Sequence, residues 1–161
     1  MQSSSGPSGV RIGHVHLKVA DLNRAIAFYH DVLGLEVMQL FGSQAAFLSF
    51  DGYHHHIGLN TWESRGGTQA PPGTTGLYHV AILYPNRPSL ARALKRLIDH
   101  GISLDGASDH GVSEAIYLRD PDGNGLELYW DRPAEKWPRT DDGELSMFTH
   151  PLNLSELLKL A

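Results

Sequence analysis

The chain has 161 residues, of which 41% are hydrophobic and 19% charged, a composition typical of one globular domain. Its formal net charge of −5, with no basic stripe, argues against nucleic-acid binding. No apolar run approaches the roughly 20 residues that span a bilayer, so we expect no contact with a membrane. Since cysteine is absent, we expect no disulfides and take a cytoplasmic location as the default.

Residues 11–60 are predicted to form the first of two structural repeats. Residues 1–10, MQSSSGPSGV, lack a charged segment followed by an apolar one and are predicted to be a flexible lead. Residues 12–19 alternate and carry β-branched side chains, which indicates a strand. Asp21 is a candidate N-cap, and the apolar stripe after it ends at Gly34, which predicts a helix. Three short strands are then expected, near residues 35–41, 44–50 and 54–60.

The same pattern begins again after residues 61–75, a Gly/Pro/Thr-rich linker. A strand is predicted at 77–84 and a helix within 88–100, followed by strands near 102–108, 114–119 and 125–130. The chain is therefore predicted to be an α+β domain over residues 11–131. It consists of two β-α-β-β-β repeats, 11–60 and 76–131, offset by about 65 residues. The tail, 132–161, contains LNLSELLKL, a predicted short amphipathic helix.

Two histidines occupy equivalent points of the two repeats, His14 and His79, and Glu127 lies on the last predicted strand. Two imidazoles and one carboxylate form the facial triad that suits non-haem Fe(II) and leaves positions open for substrate and oxygen. A single strand histidine is more often structural, and Glu127 alone fits the polar face of a strand equally well. The equivalent placement of the histidines favours ligands. His16 is either a hydrogen-bonding partner of a ligand or a rival ligand.

Three segments carry a family resemblance, GHVHLKVADLNRAIAFYHDVLGLEV, GLYHVAIL and DPDGNGLELYW. Together they resemble the vicinal oxygen chelate superfamily, which includes glyoxalase I, fosfomycin- and bleomycin-resistance proteins and extradiol dioxygenases. The resemblance covers residues 12–131. It implies a curved mixed sheet built around a metal site, and it maps the metal ligands to His14, His79 and Glu127. Fe(II) is the metal expected first, with Mn(II), Ni(II) or Zn(II) as alternatives.

The segment DHGVSEAIYLRDPDGNGLE resembles the signature of the catechol 2,3-dioxygenase-like branch. It places His110 and Tyr117 at the positions of catalytic residues, although Ser108 departs from the pattern. The resemblance implies a catecholic substrate that is cleaved with O₂. Members of this branch often carry two modules, whereas this chain carries one. In single-module relatives the two halves of a site often come from different subunits. A homodimer is therefore expected, with His14 of one subunit meeting His79 and Glu127 of its partner.

The run YHHHIGLNTW contains three adjacent histidines. Neighbouring side chains of a strand point to opposite faces, so they cannot all bind one ion. The resemblance maps His54 and His55 to a histidine pair whose second member is an acid/base, so His55 is predicted to be catalytic and His54 and His56 to face away from it. It maps Gly58 to the small position where glyoxalase I carries a fourth ligand, so that an open position is left at the metal.

A competing alignment pairs Asp51-Gly52 with Asp122-Gly123 and makes His56 a fourth ligand, equivalent to Glu127. His56 and Gly58 are thus both expected to line the substrate site. Two alternatives to a dioxygenase remain open at this point. One is a glyoxalase-like lyase or isomerase, which normally needs the fourth ligand. The other is a non-catalytic drug-binding protein of the bleomycin-resistance type, whose relatives lack the metal ligands.

Overall fold

The first repeat has the predicted order of elements. The computed structural model describes residues 9–161, so the predicted lead lies outside it except for residues 9 and 10. Asp21 accepts a hydrogen bond from the backbone N–H of Arg24 at 2.9 Å and so caps the helix, and Gly34 ends the helical segment with a φ of +84°. The elements are β1 (Val15–Lys18), α1 (Leu22–Ile26) with a π-helical continuation (Ala27–Val32), β2 (Glu36–Phe41), β3 (Ala45–Ser49) and β4 (Ile57–Asn60).

The second repeat follows the same order and is joined to a structured tail. Its helix begins after Asn86, whose side chain accepts from the backbone N–H of Ser89 at 2.9 Å. The elements are β5 (Val80–Leu83), α2 (Arg87–Asp99), β6 (Leu104–Asp109), β7 (Ser113–Arg119) and β8 (Gly125–Asp131), then β9 (His150–Pro151) and α3 (Leu154–Leu158) in the tail. The predicted pair of β-α-β-β-β repeats and the tail helix are confirmed.

Each repeat forms its own sheet with the same topology. The first sheet has the strand order β1-β4-β3-β2, and the second has the order β5-β8-β7-β6-β9. In both, the first strand of the repeat is an edge strand that runs parallel to the last strand, and the remaining pairs are antiparallel. His14 and His79 directly precede these two edge strands. The topology therefore places both histidines at equivalent corners of the two sheets.

One hydrophobic core joins the two repeats. It includes fully buried side chains from both sheets and both long helical segments, among them Leu48, Leu94 and Leu128. Polar contacts also link the two repeats. The hydroxyl of Tyr29, on the helical segment of the first repeat, donates to the Asp120 carboxylate at 2.9 Å. Arg24 Nη2 lies 2.8 Å from the Asp122 carboxylate. The turn DPDGNG thus anchors the first helix as well as connecting β7 to β8.

Two features differ from the sequence-based expectations. The predicted strand at 54–60 begins only at Ile57, because Asp51 and Gly52 form a turn in which Asp51 accepts from the Tyr53 N–H at 3.1 Å. Residues 54–56 therefore lie before the strand. The short strand β9, which adds the tail to the second sheet, was not predicted. Among the described residues, no helix has the length and apolar character needed to span a membrane.

Candidate metal and substrate site

Four of the predicted site residues form a continuous series of contacts on the second sheet. His79 Nε2 lies 3.0 Å from Glu127 Oε2, the other Glu127 oxygen lies 3.2 Å from the Tyr117 hydroxyl, and that hydroxyl lies 2.7 Å from His110 Nε2. Tyr117 and Glu127 face each other directly across the antiparallel pair β7–β8, and His110 lies in the turn before β7. An open groove of about 450 Å³ beside this series is lined by His79 and Tyr117. The register of the sheet brings these side chains together.

The Tyr117 phenol is held in its protonated form. Burial raises the pKa of Tyr117 to about 12, with further contributions from the charge of Glu127 and from the hydrogen bond between the two side chains. A phenol with this pKa remains a hydrogen-bond donor at neutral pH. The site therefore presents a neutral donor next to a carboxylate acceptor.

The first sheet carries a second group of site residues. The rings of His14 and His55 have centroids 4.3 Å apart, and the Nδ1 atoms of His54 and His55 are 2.7 Å apart. Burial, followed by the neighbouring charge of His14, lowers the pKa of His55, which favours a neutral imidazole able to accept a proton. The expectation that His54 faces away from His55 is wrong, because the strand alternation on which it rested does not extend to these residues.

His56 makes different contacts from His55. Its Nδ1 atom lies 3.2 Å from the Ser49 hydroxyl, and its Nε2 atom lies 3.8 Å from the Asp51 carboxylate. These contacts hold the ring against the turn that precedes β4. Of the two histidines between which the sequence left a choice, His55 is therefore the one next to His14.

Gly58 makes room for a histidine ring. It pairs with His16 across the parallel strands β1 and β4, and a Cβ atom at Gly58 would lie 2.9 Å from Cγ of His16. The His16 ring also lies near the Trp62 ring, with centroids 5.6 Å apart. The expected open position at Gly58 is thus occupied by the His16 ring, and burial and the neighbouring His14 lower the pKa of His16.

The donor set of His79 and Glu127 fits two adjacent positions of a metal ion. Metal–ligand bonds of about 2.1 Å place neighbouring ligands of an octahedron roughly 3.0 Å apart. The distance between the two donor atoms is also 3.0 Å. Within residues 9–161, however, no three His, Asp or Glu side chains are grouped closely enough to hold an ion. The third predicted ligand, His14, belongs to the group on the first sheet.

A groove separates the two groups. It has a volume of about 750 Å³ and lies between the starts of the edge strands β1 and β5. Both His14 and His79 line it. The two halves of the predicted triad therefore face the same groove without meeting.

The structure adds residues around His110 that the sequence reasoning missed. Asp109 accepts from the backbone N–H of Gly111 at 2.8 Å and is paired with Arg132, which fixes the turn that carries His110. The signal for Asp109 was its place directly before His110 in the signature. The tail residues Phe148 and Thr149 also contact His110, each at 3.2 Å from Nδ1. They are 38 and 39 residues away along the chain, and no motif spacing indicated them.

The chain was compared with known protein families and sequences. Residues 11–128 match the family model described as glyoxalase/bleomycin resistance protein/dioxygenase superfamily. A catechol-2,3-dioxygenase of Bacillus subtilis is 43% identical over 151 residues, which is 93% of this chain and 52% of that protein. A biphenyl-2,3-diol 1,2-dioxygenase of Rhodococcus globerulus is 34% identical over 131 residues, which is 81% of this chain and 68% of that protein. The chain thus spans about half to two thirds of the length of these relatives.

More distant similarities include another activity and support the fold. A probable lactoylglutathione lyase of Vibrio parahaemolyticus is 25% identical over 132 residues, which is 79% of this chain and 95% of that protein. The crystal structure of a glyoxalase/dioxygenase from Nostoc punctiforme has a TM-score of 0.64 and 20% sequence identity, covering 83% of this chain and 99% of that one. The repeats, their topology and the match over residues 11–128 lead to one conclusion: the chain belongs to the glyoxalase/bleomycin resistance protein/dioxygenase superfamily.

Proposed function

We propose that this protein is an extradiol dioxygenase that opens the ring of a catecholic diol with O₂. The observation that carries the proposal is the series of contacts His110–Tyr117–Glu127–His79, because it joins two metal donors to two hydrogen-bonding groups, and His79 and Tyr117 line an open groove. The similarity to two dioxygenases that act on aromatic diols supports the same class of substrate.

The proposed metal is Fe(II), held by His79, Glu127 and His14. A metal bound by these residues would supply Lewis-acid chemistry for the diol and O₂. Tyr117 and His110 would hydrogen-bond one diol oxygen and orient the ring. His55, with its lowered pKa, would accept a proton from the diol. His56, which lines the groove between the edge strands, would line the substrate site from the first sheet, and Gly58 would contribute through the His16 ring that covers it.

We also propose that the complete site forms in a homodimer, with His14 of one copy completing the pair His79 and Glu127 of the other. The described residues of a single chain do not bring the three ligands together. Large apolar side chains are exposed next to the two edge strands, which is typical of a surface that is covered in an assembly. They are Ile12, Phe50, Leu77, Tyr78 and Leu83.

The activity is tested by oxygen uptake. The protein is loaded with Fe(II) without air and then given O₂ and each member of a panel of catechols. Uptake with at least one catechol is expected, and binding without uptake across a broad panel would overturn the proposal. A parallel assay with a glutathione hemithioacetal tests the lyase alternative. We expect no turnover there, because Gly58 provides no fourth ligand.

Mixing two inactive variants tests the shared site. His14→Ala and Glu127→Ala are each expected to be inactive. If the site is shared, a mixed dimer contains one intact site and one that lacks both side chains. An equal mixture that exchanges subunits should then regain about a quarter of the wild-type activity, since about half of the dimers are mixed. No recovery after exchange, or a monomer holding a full metal site, would contradict the shared site.

A further inference from the structure

The C-terminal tail covers the turn that carries His110. Strand β9 pairs with β6, and the backbone N–H of Phe148 donates to the His110 carbonyl at 3.3 Å. The turn is closely packed, since a Cβ atom at Gly111 would lie 2.7 Å from the Phe148 ring. Gly111 also has a φ of +78°, a conformation that favours glycine. The tail is therefore part of the surroundings of His110.

The tail offers His110 two different hydrogen-bonding groups at the same ring nitrogen. The Phe148 carbonyl and the Thr149 hydroxyl each lie 3.2 Å from Nδ1. A carbonyl only accepts a hydrogen bond, whereas a hydroxyl also donates one. A neutral imidazole carries its proton on one nitrogen only, and its neighbours decide which. The Phe148 carbonyl can pair only with a proton on Nδ1, whereas the Thr149 hydroxyl can also donate to an unprotonated Nδ1 and so permits the proton to lie on Nε2.

The contacts at the other ring nitrogen favour the second arrangement. Nε2 lies 2.7 Å from the Tyr117 oxygen, and Tyr117 has a single proton to donate. The Tyr117 hydroxyl donates to a Glu127 oxygen 3.2 Å away, so the Tyr117 proton lies between these two oxygens. The contact between Tyr117 and His110 then requires a proton on Nε2. Nδ1 is left as an acceptor, and Thr149 is the side chain placed to donate to it.

We propose that Thr149 is a positioning residue for His110: its hydroxyl donates to Nδ1 and thereby keeps the His110 proton on Nε2, facing Tyr117. The proposal deepens the proposed function and rests on it for its effect on catalysis. With the proton on Nε2, His110 donates to the oxygen of Tyr117, which lines the substrate groove. Without the Thr149 hydroxyl, the Phe148 carbonyl draws the proton to Nδ1, and Nε2 becomes an acceptor that competes with Glu127 for the Tyr117 proton.

The test reads the tautomer directly in the metal-free chain of residues 1–161. Nitrogen-15 chemical shifts of His110 are recorded as the pH is raised until they no longer change, and the limiting values distinguish the two tautomers. We expect the proton on Nε2 in the wild type and in Thr149→Ser, and on Nδ1 in Thr149→Val and Thr149→Ala. Thr140→Val, also in the tail, is the matched control and should leave the tautomer unchanged. A wild type with the proton on Nδ1, or the same tautomer in Thr149→Val, overturns the proposal.

A kinetic measurement follows with the Fe(II)-loaded protein and an active catechol. Thr149→Val should lower kcat about tenfold, which is a smaller loss than the roughly hundredfold or more expected when a whole acid/base group is removed. KM should stay within about twofold of the wild-type value. Thr149→Ser should restore kcat. If Thr149 had a purely structural role, kcat would fall equally in Thr149→Val and Thr149→Ser, and the tautomer of His110 would be the same in both. If the wild type cleaves no catechol, the proposed function fails, whereas the tautomer measurement still decides whether Thr149 controls His110.

Discussion

The hydrogen bond between Tyr29 and Asp120 gives a quantitative test of how the two repeats are joined. The Tyr29 side chain is fully buried, and its hydroxyl donates to a carboxylate that is only 5% exposed. Asp120 also accepts from the backbone of Asp122 and from the backbone and side chain of Asn124. The change Tyr29→Phe therefore removes one of four bonds and leaves the carboxylate three. Hydrogen bonds to charged groups contribute about 1.5–3 kcal/mol, so the free energy of unfolding should fall by that amount.

The assay is thermal and urea unfolding followed by circular dichroism at neutral pH. For a chain of this length a change of 1 kcal/mol shifts Tm by about 2–4 °C, so Tm should fall by roughly 3–12 °C. Tyr84→Phe is the matched control, because the Tyr84 hydroxyl is buried beside the Arg96 side chain but has no partner among residues 9–161 at hydrogen-bonding geometry. That variant should be as stable as the wild type or more stable. If the free energy of unfolding of Tyr29→Phe is within about 0.5 kcal/mol of the wild-type value, the hydrogen bond does not stabilise the contact between the two repeats.

Three further predictions concern the site and its support. Asp109→Asn should lower stability by about 1–3 kcal/mol at neutral pH. Hydrogen bonds from Arg132 hold the pKa of Asp109 below its usual value. The ionised Asp109 therefore stabilises the fold fully above the unfolded pKa of about 3.9, and this contribution is lost as the pH falls through the lower pKa of the folded state. The free energies of unfolding of the wild type and Asp109→Asn, measured in urea, should become equal in acid, and a difference that persists there would show that the ionised carboxylate is not the source of the stabilisation. Gly58→Ala should lower the free energy of unfolding by about 1 kcal/mol, because the new methyl group displaces the His16 ring. The same change should cost much less in a His16→Ala background, and equal losses in both backgrounds would show that Gly58 and His16 do not pack against each other. Mn(II) at about 100 times its Kd should stabilise the protein by about 2.7 kcal/mol, and EDTA should reverse the Tm shift. Glu127→Ala should show no such shift, and a shift equal to that of the wild type would place the metal elsewhere.

The fold could be predicted because the sequence repeats itself. The alternating strands, the caps at Asp21 and Asn86 and the glycines that end the helices are local signals, and each is read from a few neighbouring residues. The two strands that DPDGNG connects were predicted, but the contacts of this turn with the first helix are long-range. Nothing in the local pattern of residues 120–125 indicates that Tyr29 donates to Asp120.

The grouping of the candidate site was predicted only in part. Tyr117 and Glu127 lie at a spacing that a hairpin brings into register, so their contact follows from strand pairing. The directions of His54, His55 and His56 were predicted from strand alternation, and that rule does not apply because these residues lie in an irregular segment before the strand. The contacts of Thr149 and Phe148 with His110 depend on how the tail folds back.

Ring cleavage itself is the most direct test of the central claim. The Fe(II)-loaded wild type is given one catechol and O₂, and the product is analysed by mass and absorbance. We expect a yellow, ring-opened product whose mass equals that of the catechol plus O₂, cleaved beside the diol. We also expect loss of that product in His79→Ala and Glu127→Ala. A product cleaved between the two hydroxyl groups, or the same product at wild-type rate from Glu127→Ala, would show that the protein is not an extradiol dioxygenase using this site.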